Sequence, residues 1–196
     1  LAIAAYAVAT CRTVAAVFDF GADENEQLFM AMEIIEGPSV SQAIEAGLSV
    51  RNVLEMADQL LGGLAHAHAR GVVHRDLKPD NIVLSGARLP ESIGIPKIVD
   101  FGIASIIDKK DGIPEPEPET HDRATLRGEV IGTPRYMSPE QATGERNLSP
   151  RTDLYNIGLI LYEIITGARP YGESKGLDVM SRHVHDPIPA VVPRAG

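Results

Sequence analysis

The sequence predicts an α+β fold in which a small sheet comes first and a larger helical part follows. β-Branched and aromatic residues are concentrated in two runs, residues 14–20 and 27–35, with a polar turn between them. Apolar residues then recur at helical spacing over residues 52–70. A further stretch, residues 153–166, is hydrophobic nearly all round and predicts a buried helix. Strands followed by helices indicate a segregated sheet and helix layer.

Local signals support these elements and add smaller ones. The first helix has its apolar positions at Val53, Ala57, Leu60, Leu64 and Ala67. Gly71 and Gly167 are placed where each helix would end, since glycine favours the C-terminal cap. Residues 82–84 and 97–99 predict short strands around a Gly/Pro loop. The Pro-Glu repeats of residues 108–122 predict a mobile loop, because that composition cannot bury a core.

Composition excludes several classes of protein. The chain has 196 residues, 44% of them apolar, and a formal net charge of −9. Nucleic-acid binders usually carry a basic face, so no nucleic-acid partner is predicted. Cys11 is the single cysteine, which excludes a disulfide framework and a cysteine zinc site. Arg12 interrupts the apolar run at residues 1–17, and residues 153–166 are too few to cross a bilayer, so this chain is predicted to make no membrane contact.

Two polar motifs carry the chemistry. Residues 74–81 read HRDLKPDN, and residues 100–102 read DFG after a short apolar run. Together they offer a carboxylate that can orient a hydroxyl, a cation for a phosphate, and an Asn/Asp pair for a metal ion. Those groups are what phosphoryl transfer from a metal nucleotide requires.

These motifs resemble the catalytic loop and the metal-binding triplet of the protein kinase superfamily. Residues 132–140, GTPRYMSPE, resemble the end of its activation segment, with Ser138 where alanine is commoner. Lys78 and Gly132-Thr133 favour the Ser/Thr type, and the phrasing around them looks like bacterial, eukaryotic-like Ser/Thr kinases. The resemblance implies a protein-kinase-like fold, with residues 1–37 as a remnant of the N-terminal lobe and hinge and residues 38–196 as a truncated C-terminal lobe.

The resemblance also implies a reaction and its participants. The parent protein would transfer the γ-phosphoryl group of ATP to Ser/Thr hydroxyls of protein substrates, with ATP and Mg²⁺ as cofactors. Asp76 would orient the hydroxyl and Lys78 would neutralise the phosphoryl group. Asn81 and Asp100 would bind magnesium. Asp153 would hold the catalytic loop by hydrogen bonds to the backbone of that loop.

The nucleotide would be held by the end of the second strand and the segment after it. By resemblance, Met32 stands at the gatekeeper position, while the carbonyl of Glu33 and the amide of Ile35 would pair with adenine. Val83 would lie under the adenine ring. Plain core packing is the alternative for this apolar strand, and both can hold together.

Control of activity is predicted in the long loop after Asp100. In the family, an arginine at the place of Arg75 pairs with an activation-loop phosphate. Thr125 and Thr120 are the candidate acceptors, with ordinary loop threonines as the alternative. Thr133 would contact Lys78 and Asp76 and support the substrate.

Other features depart from the family pattern. The sequence has no Gly-rich phosphate loop and no lysine in a Val-Ala-Ile-Lys context. We therefore expect an internal fragment that is inactive and poorly stable alone, with Glu140 as a buried acid lacking its arginine partner. The kinase domain is expected in the cytoplasm, and a membrane-anchored parent protein stays open as an alternative.

Two other functions compete with an active kinase. A pseudokinase would bind nucleotide or act as a scaffold without transfer. A metal-dependent hydrolase would use His66, His68, His74 and Asp76, but alternate helix positions point His66 and His68 to different faces.

Overall fold

The first hairpin is shorter than the sequence predicts. The computed structural model describes residues 11–24, 27–101, 134–145 and 147–194. Strands β1 (Val17–Ala22) and β2 (Leu28–Met32) pair antiparallel. The predicted runs 14–20 and 27–35 were therefore wrong at both outer ends, because the chain before β1 pairs elsewhere and the chain after β2 leaves the sheet.

The segment before β1 joins the larger part of the molecule. The amide of Ala15 donates to the carbonyl of Ile98 at 2.9 Å, and the amide of Ile98 donates to the carbonyl of Thr13 at 2.9 Å. Beyond β2, Ile34 is 92% exposed, which ends the alternation of a half-buried strand. The small sheet is thus tied to the helical part at both ends.

Two helices follow, and the shorter one was not predicted. Helix α1 (Val40–Ala46) begins at a capping box formed by Ser39 and Gln42, a Ser-x-x-Gln signal that the sequence analysis passed over. Helix α2 (Val50–His68) confirms the predicted helix but begins two residues earlier, because the hydroxyl of Ser49 caps it. It ends before Gly71, which lies beyond the cap with φ of 73°.

A second hairpin follows a 3₁₀ turn at Pro79–Asn81. Strands β3 (Ile82–Ser85) and β4 (Ile95–Ile98) pair antiparallel, with Val83 opposite Lys97. The strand predicted at residues 97–99 is confirmed, but it begins two residues earlier and ends one residue earlier. Its last predicted member, Val99, is outside the strand and donates its amide to the carbonyl of Asn81 at 2.9 Å.

The remaining elements build the helical part. A 3₁₀ turn at Pro134–Tyr136 leads into the short helix α3 (Pro139–Ala142). Helix α4 (Pro150–Thr166) ends at Gly167, whose left-handed conformation (φ of 70°) confirms the predicted cap. Helix α5 (Gly176–His185) was not predicted.

One face of α4 contradicts the prediction of a helix buried all round. Leu154 is 49% exposed, whereas Ile157, Leu159 and Ile160 are buried. The apolar stripe of α4 therefore faces the core on one side only.

The main core lies between α2, α4 and the β3–β4 hairpin. Its buried members include Met56, Leu60, Leu64, Leu77, Ile82, Leu84, Ile98, Ile157 and Ile160. Helices with two small antiparallel sheets confirm the α+β class. In the described part of the chain, no helix is both long and apolar enough to cross a membrane. The predicted loop at residues 108–122 lies outside the described residues.

Candidate active site

The catalytic loop is anchored by a buried histidine. His74 is 1% exposed, and its Nε2–H donates to the carbonyl of Val99 at 2.9 Å. Its Nδ1 accepts from the amide of Asp76 at 3.3 Å. Burial lowers the pKa of His74, so the ring is neutral and the two bonds define its tautomer. His74 thus ties the loop that carries Asp76 to the residue before Asp100.

A second anchor comes from α4. Asp153 is fully buried, and its Oδ2 and Oδ1 accept the backbone amides of His74 at 2.9 Å and Arg75 at 3.0 Å. Oδ2 also lies 2.7 Å from Nε2 of His68. The cost of burying this carboxylate is offset by three donors, which together fix the path of the loop.

The groups that could take part in chemistry lie beside these anchors, where Asp76 is exposed, Lys78 half-buried and Asn81 buried. Nζ of Lys78 lies 2.9 Å from Oδ2 of Asp76, and the Asp76 side chain is 57% exposed. Nδ2 of Asn81 donates to the backbone carbonyl of Asp76 at 2.9 Å. The carboxylate, the ammonium and the carboxamide therefore lie close together.

The donor set suits a hard divalent cation. Because Nδ2 of Asn81 is committed to Asp76, Oδ1 is the carboxamide atom left to act as a ligand. The backbone pairing of Asn81 with Val99 brings Asp100 next to it. Asp100 is exposed and has φ of 60°, a conformation that aspartate adopts more readily than most residues. A carboxylate and a carboxamide oxygen are the ligands that Mg²⁺ prefers.

The predicted nucleotide residues line the junction between the small sheet and the β3–β4 hairpin. Met32 ends β2, and the linker after it runs along β3, since the amide of Leu84 donates to the carbonyl of Pro38 at 2.8 Å. Val83 lies on the half-buried face of β3. Glu33 and Ile35 precede this contact in the linker and are half-buried.

Arg75 is held in a strained conformation. Its φ is 70°, and its carbonyl accepts a hydrogen bond from the Gln141 side chain. Among the described residues, its buried Nε has no partner. Thr120, Thr125 and Thr133 lie outside the described residues.

Comparison with known proteins identifies the family. A family model described as "Protein kinase domain" matches residues 5–192. The chain belongs to the protein kinase domain family. The predicted kinase-like fold and the resemblance to bacterial Ser/Thr kinases are both confirmed.

Several relatives of this kinase domain are bacterial proteins. It is 40% identical over 176 residues to the serine/threonine-protein kinase pkn3 of Myxococcus xanthus, covering 88% of this chain and 30% of that protein. It is 34% identical over 186 residues to PknA of Mycobacterium tuberculosis, covering 92% and 39%. The probable serine/threonine-protein kinase PknB of Lactococcus lactis is 30% identical, with 91% and 26% covered. The chain spans less than half of each relative.

A polar network that sequence reasoning missed supports the 3₁₀ turn after Thr133. The hydroxyl of Tyr136 donates to the carboxylate of Glu163, and Nε of Arg169 lies 3.1 Å from that carboxylate. The side chain of Asn156 donates to the carbonyl of Tyr136. Burial and the bond to Glu163 raise the pKa of Tyr136, so its phenol stays a donor. No sequence pattern links these distant residues.

Glu140 differs from its expected state. It is half-buried rather than fully buried, and its carboxylate accepts the hydroxyl of Thr152 at 2.6 Å. Burial raises its pKa, but hydrogen bonds from Thr152 and nearby groups outweigh that effect and the net pKa is lowered. The prediction of a buried acid was wrong, because Glu140 is half-buried, and the first turn of α4 supplies it with a hydroxyl donor.

Two of the histidines proposed for a hydrolase site, His68 and His74, direct their side chains to separate partners. His68 contacts Asp153, and His74 contacts Val99. In the described ranges, no three His, Cys, Asp or Glu side chains are grouped so that they could hold a metal ion.

Proposed function

We propose that the protein containing this chain transfers the γ-phosphoryl group of ATP to Ser/Thr hydroxyls of protein substrates. The observation that carries the proposal is the juxtaposition of Asp76, Lys78 and Asn81 on a loop held by Asp153. The matched relatives are named as serine/threonine-protein kinases, which supports the same reaction. ATP and Mg²⁺ are the proposed cofactors, and no nucleic-acid partner is proposed.

Each residue would have a defined task. The exposed carboxylate of Asp76 would accept a hydrogen bond from the substrate hydroxyl, aim its oxygen at the γ-phosphorus and take up its proton. Lys78 would turn from Asp76 toward the phosphoryl oxygens, where charge spreads in the transition state. Mg²⁺ would neutralise phosphate charge. Asn81 and Asp100 would hold it.

The nucleotide would occupy the junction between sheet and hairpin. Met32 would border the adenine, the carbonyl of Glu33 and the amide of Ile35 would pair with its edge, and Val83 would form the floor. Support comes from the linker's hydrogen bonds to β3, which place these residues on neighbouring segments. In this proposal residues 1–37 belong to an N-terminal lobe with hinge, and residues 38–196 to a C-terminal lobe.

Regulation and location complete the proposal. Thr125, with Thr120 as the second candidate, would accept a phosphate that pairs with Arg75, and Thr133 would support the substrate. The unpartnered Nε of Arg75 is consistent with such an anion. Because ATP is a cytoplasmic substrate, the domain would act in the cytoplasm, either in a soluble parent or in one anchored to the membrane.

Asp76→Asn in the natural protein that carries this sequence tests the reaction. We expect kcat for peptide phosphorylation to fall about 10²- to 10⁴-fold, because the amide cannot take the proton. Asp80→Asn is the matched control, since Asp80 lies in the same exposed loop and bonds Ser41 instead. A wild-type protein that binds Mg·ATP without transferring phosphate would establish the pseudokinase instead.

A further inference from the structure

The side chain of Glu33 joins both parts of the molecule at the start of the linker. Its Oε1 accepts the backbone amide of Ala16 at 2.7 Å and lies 2.7 Å from Nζ of Lys97. The amide of Glu33 donates back to the carbonyl of Ala16 at 2.9 Å. Ala16 directly precedes β1, whereas Lys97 belongs to β4 in the helical part. One carboxylate oxygen of Glu33 therefore bridges the small sheet and the helical part.

Lys97 lies on the face of the hairpin that the nucleotide would use. It is paired directly with Val83, and on both strands these residues occupy the half-buried face, while Ile82, Leu84 and Ile98 point into the core. Lys97 is thus a cross-strand neighbour of the proposed adenine floor. The ammonium of Lys97 extends from this face of the hairpin to Glu33 in the linker.

The pair is charged and shielded. The exposed fractions are 17% for the Lys97 side chain and 24% for Glu33, which limits screening by solvent. Burial raises the pKa of Glu33, but the hydrogen bonds from Lys97 and Ala16, together with the charge of Lys97, outweigh it and leave the pKa lowered. Glu33 is therefore ionised at neutral pH, and its bonds to Ala16 and Lys97 are charge-assisted.

We propose that Lys97 is a positioning residue for the nucleotide, acting through Glu33. The ion pair holds the linker at a fixed height above Val83, so that the carbonyl of Glu33 and the amide of Ile35 meet the adenine edge without reorganisation. Pre-ordered groups bind more tightly because less conformational freedom is lost on binding. The inference rests on the proposed function, since it assigns the adenine to this junction.

The decisive readout is the separation of KM from kcat in the natural protein. Lys97→Met keeps the length of the stem but removes the charge, and we expect KM for Mg·ATP to rise about fivefold, the scale of one ordinary intramolecular hydrogen bond. We expect kcat and KM for the peptide to stay within about twofold. Lys97→Arg should restore KM, because it keeps the cation. Lys175→Met, at an exposed position before α5, is the matched control and should change neither.

Glu33→Gln provides a second, milder variant should Lys97→Met fold poorly. Its amide oxygen can still accept from Ala16 and from Nζ of Lys97, so only the charge of Glu33 is lost. A smaller rise in KM for Mg·ATP than in Lys97→Met is expected, because both hydrogen bonds persist in a weaker, neutral-acceptor form. An unchanged KM in both variants, or a fall in kcat without a rise in KM, would overturn the positioning role.

Hydrogen exchange without nucleotide separates this inference from the proposed function. We expect the Ala16 amide to exchange faster in Lys97→Met, because its acceptor is no longer held. If the wild type neither binds nor transfers phosphate from ATP, the proposed function fails, while the exchange result still reports on the bridge. Faster exchange with unchanged KM for ATP would show a merely structural tie and overturn the inference.

Discussion

Nε2 of His68 lies 2.7 Å from Oδ2 of Asp153, a carboxylate with no exposed surface. The contact joins the last turn of α2 to the first turn of α4 beneath the catalytic loop. The same carboxylate accepts the amides of His74 and Arg75. The helical core and the catalytic loop therefore share one electrostatic anchor.

Asp153→Asn should destabilise the protein by about 3 kcal/mol or more, because an amide nitrogen would face at least one donor inside the core. The free energy of unfolding in urea, measured by circular dichroism, checks this. Asp58→Asn is the control, since Asp58 is exposed on α2. A loss below about 1 kcal/mol would show that the buried amide finds new partners.

Two adjacent glycines of α2 predict opposite effects of alanine. A Cβ on Gly62 meets nothing within 4 Å, whereas one on Gly63 would lie 2.2 Å from Oγ1 of Thr13. Gly62→Ala should stabilise by about 0.5–1 kcal/mol through helix propensity. Gly63→Ala should destabilise by about 1–3 kcal/mol, because the segment that pairs with β4 must shift. Thermal unfolding of both variants distinguishes these outcomes.

The double variant Gly63→Ala with Thr13→Ala tests the cause. It removes Oγ1 but leaves Cβ of residue 13, which lies 3.1 Å from the new methyl group. Partial recovery of stability relative to Gly63→Ala is expected. Equal stability of the single and double variants would place the strain elsewhere.

The sequence predicted the candidate site best where its residues are contiguous in the chain. The loop at residues 74–81 and the long helices follow from motif and periodicity, since neighbours in the sequence of that loop are also neighbours in the candidate site. The helix Val40–Ala46 was overlooked because its seven residues show little periodicity, although its capping box was readable. The pairs Glu33–Lys97 and Tyr136–Glu163 could not be predicted, because only the folded chain brings them together.

Buried neutral histidines should make stability depend on pH. Burial lowers the pKa of His183, against the opposing carbonyls of Arg135 and Pro134, and Tyr155 lies 3.0 Å from its Nδ1. The pKa of His74 is lowered too. Below the ordinary value of 6.5, the unfolded state binds more protons than the folded state, so the free energy of unfolding falls as pH decreases.

Chemical unfolding between about pH 7.5 and 5 measures this slope. His183→Gln should lower stability at pH 7.5 by about 1 kcal/mol and flatten the slope, because one buried site no longer titrates. His185→Gln, at an exposed position on the same helix, is the control and should retain the wild-type slope. A slope that is unchanged in His183→Gln would contradict the buried neutral state. The pKa values of Glu33 and Glu140 are lowered, so these carboxylates change the free energy of unfolding only at more acidic pH. They do not contribute to the slope measured here.

The last prediction concerns the hydroxyl of Tyr136. It bonds Glu163, which is also paired with Arg169, so the 3₁₀ turn Pro134–Tyr136 is fixed to α4. Tyr136→Phe should cost about 1–2 kcal/mol of folding free energy, because a hydrogen bond to a charged group is lost. In the natural protein it should also raise KM for the peptide more than KM for ATP, since the turn follows Thr133, the proposed substrate support.

Tyr162→Phe is the matched control for that experiment. Its hydroxyl lies 3.5 Å from the carbonyl of Ala190, at the limit of hydrogen bonding, and the contact is exposed. We expect this variant to change stability by less than about 0.5 kcal/mol and neither KM. A local shift of the substrate turn should leave the distant adenine junction in place. Equal rises of both KM values in Tyr136→Phe would therefore contradict the prediction and show that the network acts on the whole site.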